Sequence, residues 1–143
     1  MLSCAGVVDC LKMVDPQLLI SAIERHKDRD FVWGKLDCAL FVANVLQDAT
    51  GTDYAEPLRG RYNSELGSYR ILKPYGGLEG YLDSLFPRVH KTQAMRGDIV
   101  SLKAELSGRA VGICTGQRFA FMTADQGVIY VPMSLAEEVW QVS

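Results

Sequence analysis

The pattern of apolar and polar positions changes character about two thirds of the way along the chain. In the first part, apolar residues recur three and four positions apart. After Asp15-Pro16, the run QLLISAIERHKD sets Leu19, Ala22, Ile23 and His26 on one side of a predicted helix. Asp15 offers a capping oxygen, and Pro16 suits the first helical position. The segment FVWGKLDCALFVANVL follows, from Phe31 to Leu46. Its pattern predicts a turn at Gly34 and a second helix capped by Asp37. Cys38 falls in the first turn of that helix, and Phe41, Val42, Val45 and Leu46 form its apolar stripe. Thr50-Gly51 stops it. Residues 52–75 carry a weaker pattern. NSELGSYRIL is faintly helical and interrupted, whereas PLRGRY and KPYGG read as loops. LEGYLDSLF, between Gly77 and Pro87, predicts another short helix.

Beyond Pro87 the helical spacing gives way to short β-type runs. GDIVSL, AVGICT, RFAFMTA and GVIYVP are separated by glycine-bearing turns, and EVWQV makes a last one. Helices first and an antiparallel sheet second predict an α+β fold, with N-terminal helices packed on a C-terminal sheet.

Composition narrows the function more than the fold. The chain has 143 residues, 48% hydrophobic and 22% charged, which suits one domain with a sizeable core. That domain is placed at residues 15–143, and residues 1–14 are set apart as a segment for binding a partner. The formal net charge is -2 with no basic block, so nucleic acid is not an expected partner. Every apolar run is shorter than the roughly 20 residues of a membrane helix, so no membrane span is expected. The N-terminus lacks a basic segment followed by an apolar run, and no signal peptide is read there. The cysteines at 4, 10, 38 and 114 fit no common zinc spacing; reduced thiols and no cofactor or metal are expected. Cys4 and Cys10 retain the alternative of a metal site shared with a partner.

Cys38 is the candidate for chemistry. The start of a helix favours a thiolate, the nucleophilic form of the side chain. A small buried apolar residue is the alternative role for a cysteine in this setting. The W-G-x-x-D-C-x-x-F segment, with R-G-D-I-V and A-V-G-I-C-T-G following in order, resembles the NlpC-type cysteine peptidases. Within that papain-like superfamily, the chain is similar to small prophage proteins encoded among phage tail genes. The resemblance covers about Pro16 to Val142. It implies a papain-like fold, a nucleophile at Cys38, and a histidine base at the start of a strand reading H-V-G-I.

Here the base position holds Ala110, beside Val111-Gly112-Ile113. The neighbouring Arg109 cannot take a thiol proton either, because a guanidinium stays charged. The following strand, Phe119-Ala120-Phe121-Met122-Thr123, offers only Thr123 as a polar group to orient a base. Two histidines remain. His26 lies on the apolar side of the first helix and precedes the cysteine. His90, in PRVHKTQ, follows Cys38 as the papain order requires but precedes the G-D strand, so it is a weak substitute base. Asp37 and Asp98 have simpler roles, capping a helix and shaping a turn. Gly76-Gly77 lacks the spacing of a phosphate loop. Tyr54, Tyr62, Tyr69, Tyr75 and Tyr81 crowd the middle third, where they suit either a protein-binding surface or loops packed over a sheet. Trp33 and Trp140 are expected in the core.

The resemblance and the missing base together imply a pseudoenzyme: a non-catalytic structural component of a phage or prophage tail, at its tip or hub. Its expected partners are other phage tail proteins, with a bacterial cell-wall peptide as a further ligand. Such a chain is made in the bacterial host cytoplasm and, if incorporated, resides in the virion tail. The alternative is an active cysteine peptidase or amidase acting on cell-wall peptides through Cys38. An assembly factor that leaves before the virion matures is a third reading.

Overall fold

The computed structural model describes residues 14–104 and 108–142. Cys4 and Cys10 therefore lie outside the described residues, as does almost all of the segment assigned to partner binding. Helix α1 spans Pro16–His26 and α2 spans Cys38–Thr50. Asp15 caps α1 by accepting from the Gln17 N–H at 2.8 Å. Gly51, at φ 85°, ends α2 in the left-handed conformation that favours glycine. Helix α3 covers Glu65–Leu72 and α4 covers Gly77–Leu85, joined by a 3-10 turn over Lys73–Tyr75. The α3 segment carries only a faint helical pattern in the sequence. Its start is nevertheless fixed by Ser64, whose hydroxyl accepts from the Gly67 N–H at 3.0 Å.

The sheet has six strands: β1 Arg88–Val89, β2 Ile99–Ala104, β3 Gly108–Cys114, β4 Arg118–Thr123, β5 Gly127–Pro132 and β6 Val139–Trp140. Their spatial order is β1-β6-β2-β3-β4-β5, and each adjacent pair is antiparallel. The α+β arrangement expected from the sequence is what the structure shows. Strand β1 is an addition, since two residues carry too little pattern to be read.

Period-two alternation divides this sheet between two cores. Ile99, Ile113, Ala120 and Trp140 face the layer built by α1 and α2, beside Leu19, Ile23, Phe41, Val45 and Leu46. Their sequence neighbours Val100, Cys114, Phe119 and Val139 form a second cluster with Ala136. The register keeps these sets opposed across the strands, with Ile99 against Trp140 and Val100 against Val139. Trp140 is fully buried, and its indole N–H donates to Asp83 at 2.9 Å. Arg88 caps that ring at 5.0 Å and bonds to both Asp83 and Glu138, tying the closing strand to α4.

Gly112, on β3, lies against β4 with no room for a side chain. A Cβ there would collide with the Ala120 carbonyl and meet the Phe119 ring at 2.9 Å. We therefore expect Gly112→Ala to cost about 2 kcal/mol or more, because backbone cannot move aside as a side-chain tip can. Urea unfolding measures this; a midpoint unchanged from the native chain would show that the strands can separate.

Candidate active site

The site begins with Asp37. Its side chain is 1% exposed, and its two oxygens accept from three donors. Oδ1 takes the Leu40 N–H at 2.9 Å, which caps α2. Oδ2 takes the Gly34 N–H at 3.1 Å and the Tyr62 hydroxyl at 2.6 Å. One carboxylate thus fixes the helix start, the Trp33-Gly34 turn and a tyrosine from a distant loop. Gly34, at φ 83°, is required here: a Cβ would run into the Tyr62 carbonyl. Desolvation, followed by the charge of Asp37, holds the Tyr62 hydroxyl far above the usual phenol range, so it remains a donor.

Cys38 opens the helix that Asp37 caps, and it lies half-buried in a cleft of about 640 Å³. Trp33, Asp37, Tyr62, Leu58 and Ala110 are among the cleft's lining residues. Burial pushes the thiol up to about 11. A hydrogen bond with the Val111 backbone pulls it down, and the neighbouring Asp37 charge adds to the rise. The helix start, which alone favours a thiolate, is outweighed. At neutral pH the side chain is a thiol.

No imidazole lines this cleft. His26, 8% exposed on α1, donates from or accepts at both ring nitrogens within a separate cluster. Its Nε2 lies 2.8 Å from Asp48 Oδ2, and its Nδ1 lies 3.0 Å from an Arg29 nitrogen. A guanidinium only donates, so Nδ1 accepts and the ring proton sits on Nε2 toward Asp48. His26 clips α1 to α2. His90 follows β1, is exposed, and bonds through Nδ1 to the Thr92 hydroxyl at 2.8 Å. Strands β6 and β2 stand between β1 and the strand bearing Ala110. Three strand spacings make about 14 Å, beyond the reach of an imidazole. Ala110, 6% exposed on β3, shares the cleft with Cys38 and contributes a methyl group where the resemblance calls for a base.

The remaining sequence candidates have structural partners. Asp98 accepts from the Met95 and Val142 N–H groups, holding the turn before β2 and the chain end together. Thr123 donates to the Gly127 carbonyl at 2.7 Å and shapes the β4–β5 hairpin. Trp33, expected in the core, is only half-buried and faces the cleft. The five tyrosines divide: Tyr81 is buried, Tyr54 and Tyr62 are half-buried, and Tyr69 and Tyr75 are exposed. The sequence reading missed the contribution of α3, whose Glu65, Ser68, Tyr69 and Leu72 line the cleft. Ser64 as a cap ahead of that stripe was the available signal, blurred by Gly67 and Ser68. Among the described residues, no three His, Cys, Asp or Glu are gathered to hold a metal ion, and no helix is long and apolar enough to cross a membrane.

A sheet flanked by helices, with a cysteine at a helix start facing its central strands, is the arrangement of the papain-like NlpC/p60 fold. Among solved structures, the NlpC/p60 domain of the peptidoglycan hydrolase SagA superposes with a TM-score of 0.61. The match covers 90% of this chain and 99% of that one at 15% sequence identity, a likeness of fold. The chain belongs to the family described as a domain of unknown function, DUF6950, whose model matches residues 9–142. A search of curated protein sequences found no match.

The hub role of Asp37 sets an order of stabilities. Asp37→Asn leaves one acceptor oxygen for three donors and is expected to cost about 2–3 kcal/mol. Tyr62→Phe removes a single bond and is expected to cost about 1–2 kcal/mol, since a charge-assisted bond is the stronger kind. Chemical denaturation of both variants checks this. Equal midpoints for Asp37→Asn and the native chain would remove Asp37 from the centre of the site.

Proposed function

We propose that this chain is a non-catalytic member of the NlpC-like fold, serving as a structural component of a phage or prophage tail at the tip or hub. The observation that carries the loss of catalysis is Ala110 in the Cys38 cleft, with both histidines committed elsewhere. A cysteine peptidase needs a base within hydrogen-bond reach of the sulfur and a third group to orient that base. Ala110 supplies neither. A thiol held near 11 is ionised to about one part in ten thousand at pH 7, which leaves almost no nucleophile.

The tail assignment is supported by the ordered W-G-x-x-D-C, R-G-D-I-V and A-V-G-I motifs, which resemble small prophage tail-associated proteins. Exposed Tyr69 and Tyr75, with Leu66 on the same helix-turn segment, suit contact with other tail proteins. The active-peptidase alternative has one feature in its favour, the open cleft in front of Cys38.

Two measurements test the proposal. Purified protein incubated with bacterial cell-wall peptides is expected to release no fragments, and Cys38→Ser is expected to change nothing. Cleavage lost on Cys38→Ser would establish the peptidase instead. Mass spectrometry of purified particles from a producing strain is expected to find the chain; particles complete without it would end the structural role.

A further inference from the structure

The cleft has a charge register that Cys38 chemistry does not use. One wall is the helical stripe Glu65, Ser68, Tyr69, Leu72 and Lys73, in which each residue falls three or four after an earlier one. Lys73 keeps right-handed helical backbone angles, so the stripe runs unbroken to its ammonium. Ser68 and Leu72 are buried toward the cleft interior, while Tyr69 and Lys73 are exposed at the rim. Glu65 accepts from the Tyr69 hydroxyl at 3.1 Å. Neither Glu65 nor Lys73 belongs to an ion pair among the described residues. The other lining carboxylates are engaged, Glu79 with Arg88 at 3.4 Å and Asp37 with its three donors.

Eight helical residues at 1.5 Å each separate Glu65 from Lys73 by about 12 Å. An extended peptide rises about 3.4 Å per residue, and its side chains return to one face every second residue. Residues i and i+4 of such a peptide are thus about 14 Å apart on one face, close to the Glu65–Lys73 rise, with residue i+2 between them on that face. Tyr69 and Leu72 fall between Glu65 and Lys73 along the helix, and Leu58 and Trp33 line the same cleft.

Resting on the reading of the cleft as a binding site without catalysis, we propose that it holds an extended segment of a partner protein. In that segment, an aromatic or aliphatic residue is flanked two positions away by a basic residue on one side and an acidic one on the other. The basic group meets Glu65, the acidic group meets Lys73, and the apolar side chain enters the cleft over Leu72. Charge sets the register and direction of the segment, and the apolar anchor supplies most of the affinity.

Blocked pentapeptides test this by amide chemical-shift titration of the intact chain, a method that reads weak binding. Lys-Ala-Phe-Ala-Glu is expected to bind about fivefold or more tightly than Lys-Ala-Phe-Ala-Lys, Glu-Ala-Phe-Ala-Glu or Lys-Ala-Gly-Ala-Glu, with shifts at α3. Lys73→Glu is expected to weaken it about fivefold, and the double variant Glu65→Lys/Lys73→Glu to restore it with the peptide reversed. Both side chains line the cleft, Glu65 half-buried and Lys73 exposed, and native amide dispersion verifies the fold of each variant. Equal affinity for all four peptides, no binding by any, or no rescue in the double variant overturns the proposal. Peptide hydrolysis through Cys38 would instead overturn the non-catalytic reading, so the two failures are distinguishable.

Discussion

A single buried carboxylate organises the functional end of this molecule. Asp37 is sealed from water, and a charge there is tolerated only because three donors converge on it. Each donor comes from a different piece of chain: the first turn of α2, the glycine turn before it, and the loop carrying Tyr62. Removing the carboxylate would leave these donors buried and unsatisfied, so the turn, the helix start and one cleft wall depend on one side chain. The W-G-x-x-D-C spacing is thereby explained as a folding device, whatever chemistry follows it.

The same device works against the adjacent cysteine. A helix start is worth about 0.3–1 kcal/mol to a nearby anion, less than one pKa unit. Burial in the cleft acts in the opposite direction and wins, and the Asp37 charge adds to it. In a working Cys/His pair the imidazole reverses that balance by taking the proton. The cleft around Cys38 is lined by Ala110 and by no imidazole. The helix-start cysteine and the cleft in front of it are both present, while burial and the Asp37 charge raise the thiol above its ordinary range.

Much of this was legible in the sequence because local signals agreed. Asp15-Pro16 and Asp37 announced their helices, Thr50-Gly51 announced a stop, and glycine-separated apolar runs announced the sheet. The ordered motifs pointed to the NlpC-type fold, and by that resemblance alone Ala110 was expected at the position of the base. What could not be read was of two kinds. Strand β1, two residues long, exists only because β6 pairs with it. Helix α3 has a poor intrinsic pattern, and its stability comes from the Ser64 cap and burial of Ser68 and Leu72. Tyr62 counted only as one of five tyrosines, because nothing local reveals a bond to a residue 25 positions earlier. The cleft's charge register was invisible for the same reason: it exists only once α3 is known to be a helix.

The claim on which this account turns is that Cys38 has no base. Ultraviolet titration of thiolate absorbance, with Cys38→Ser as the blank, measures it directly. Because the folded pKa is raised, the side chain stays protonated through neutral pH and ionises only as pH climbs past the ordinary thiol value. The account predicts a Cys38 midpoint near 11 that does not move in His26→Gln or His90→Gln. A midpoint below pH 8 that rises when either histidine is replaced would show an imidazole paired with the sulfur, and would contradict it.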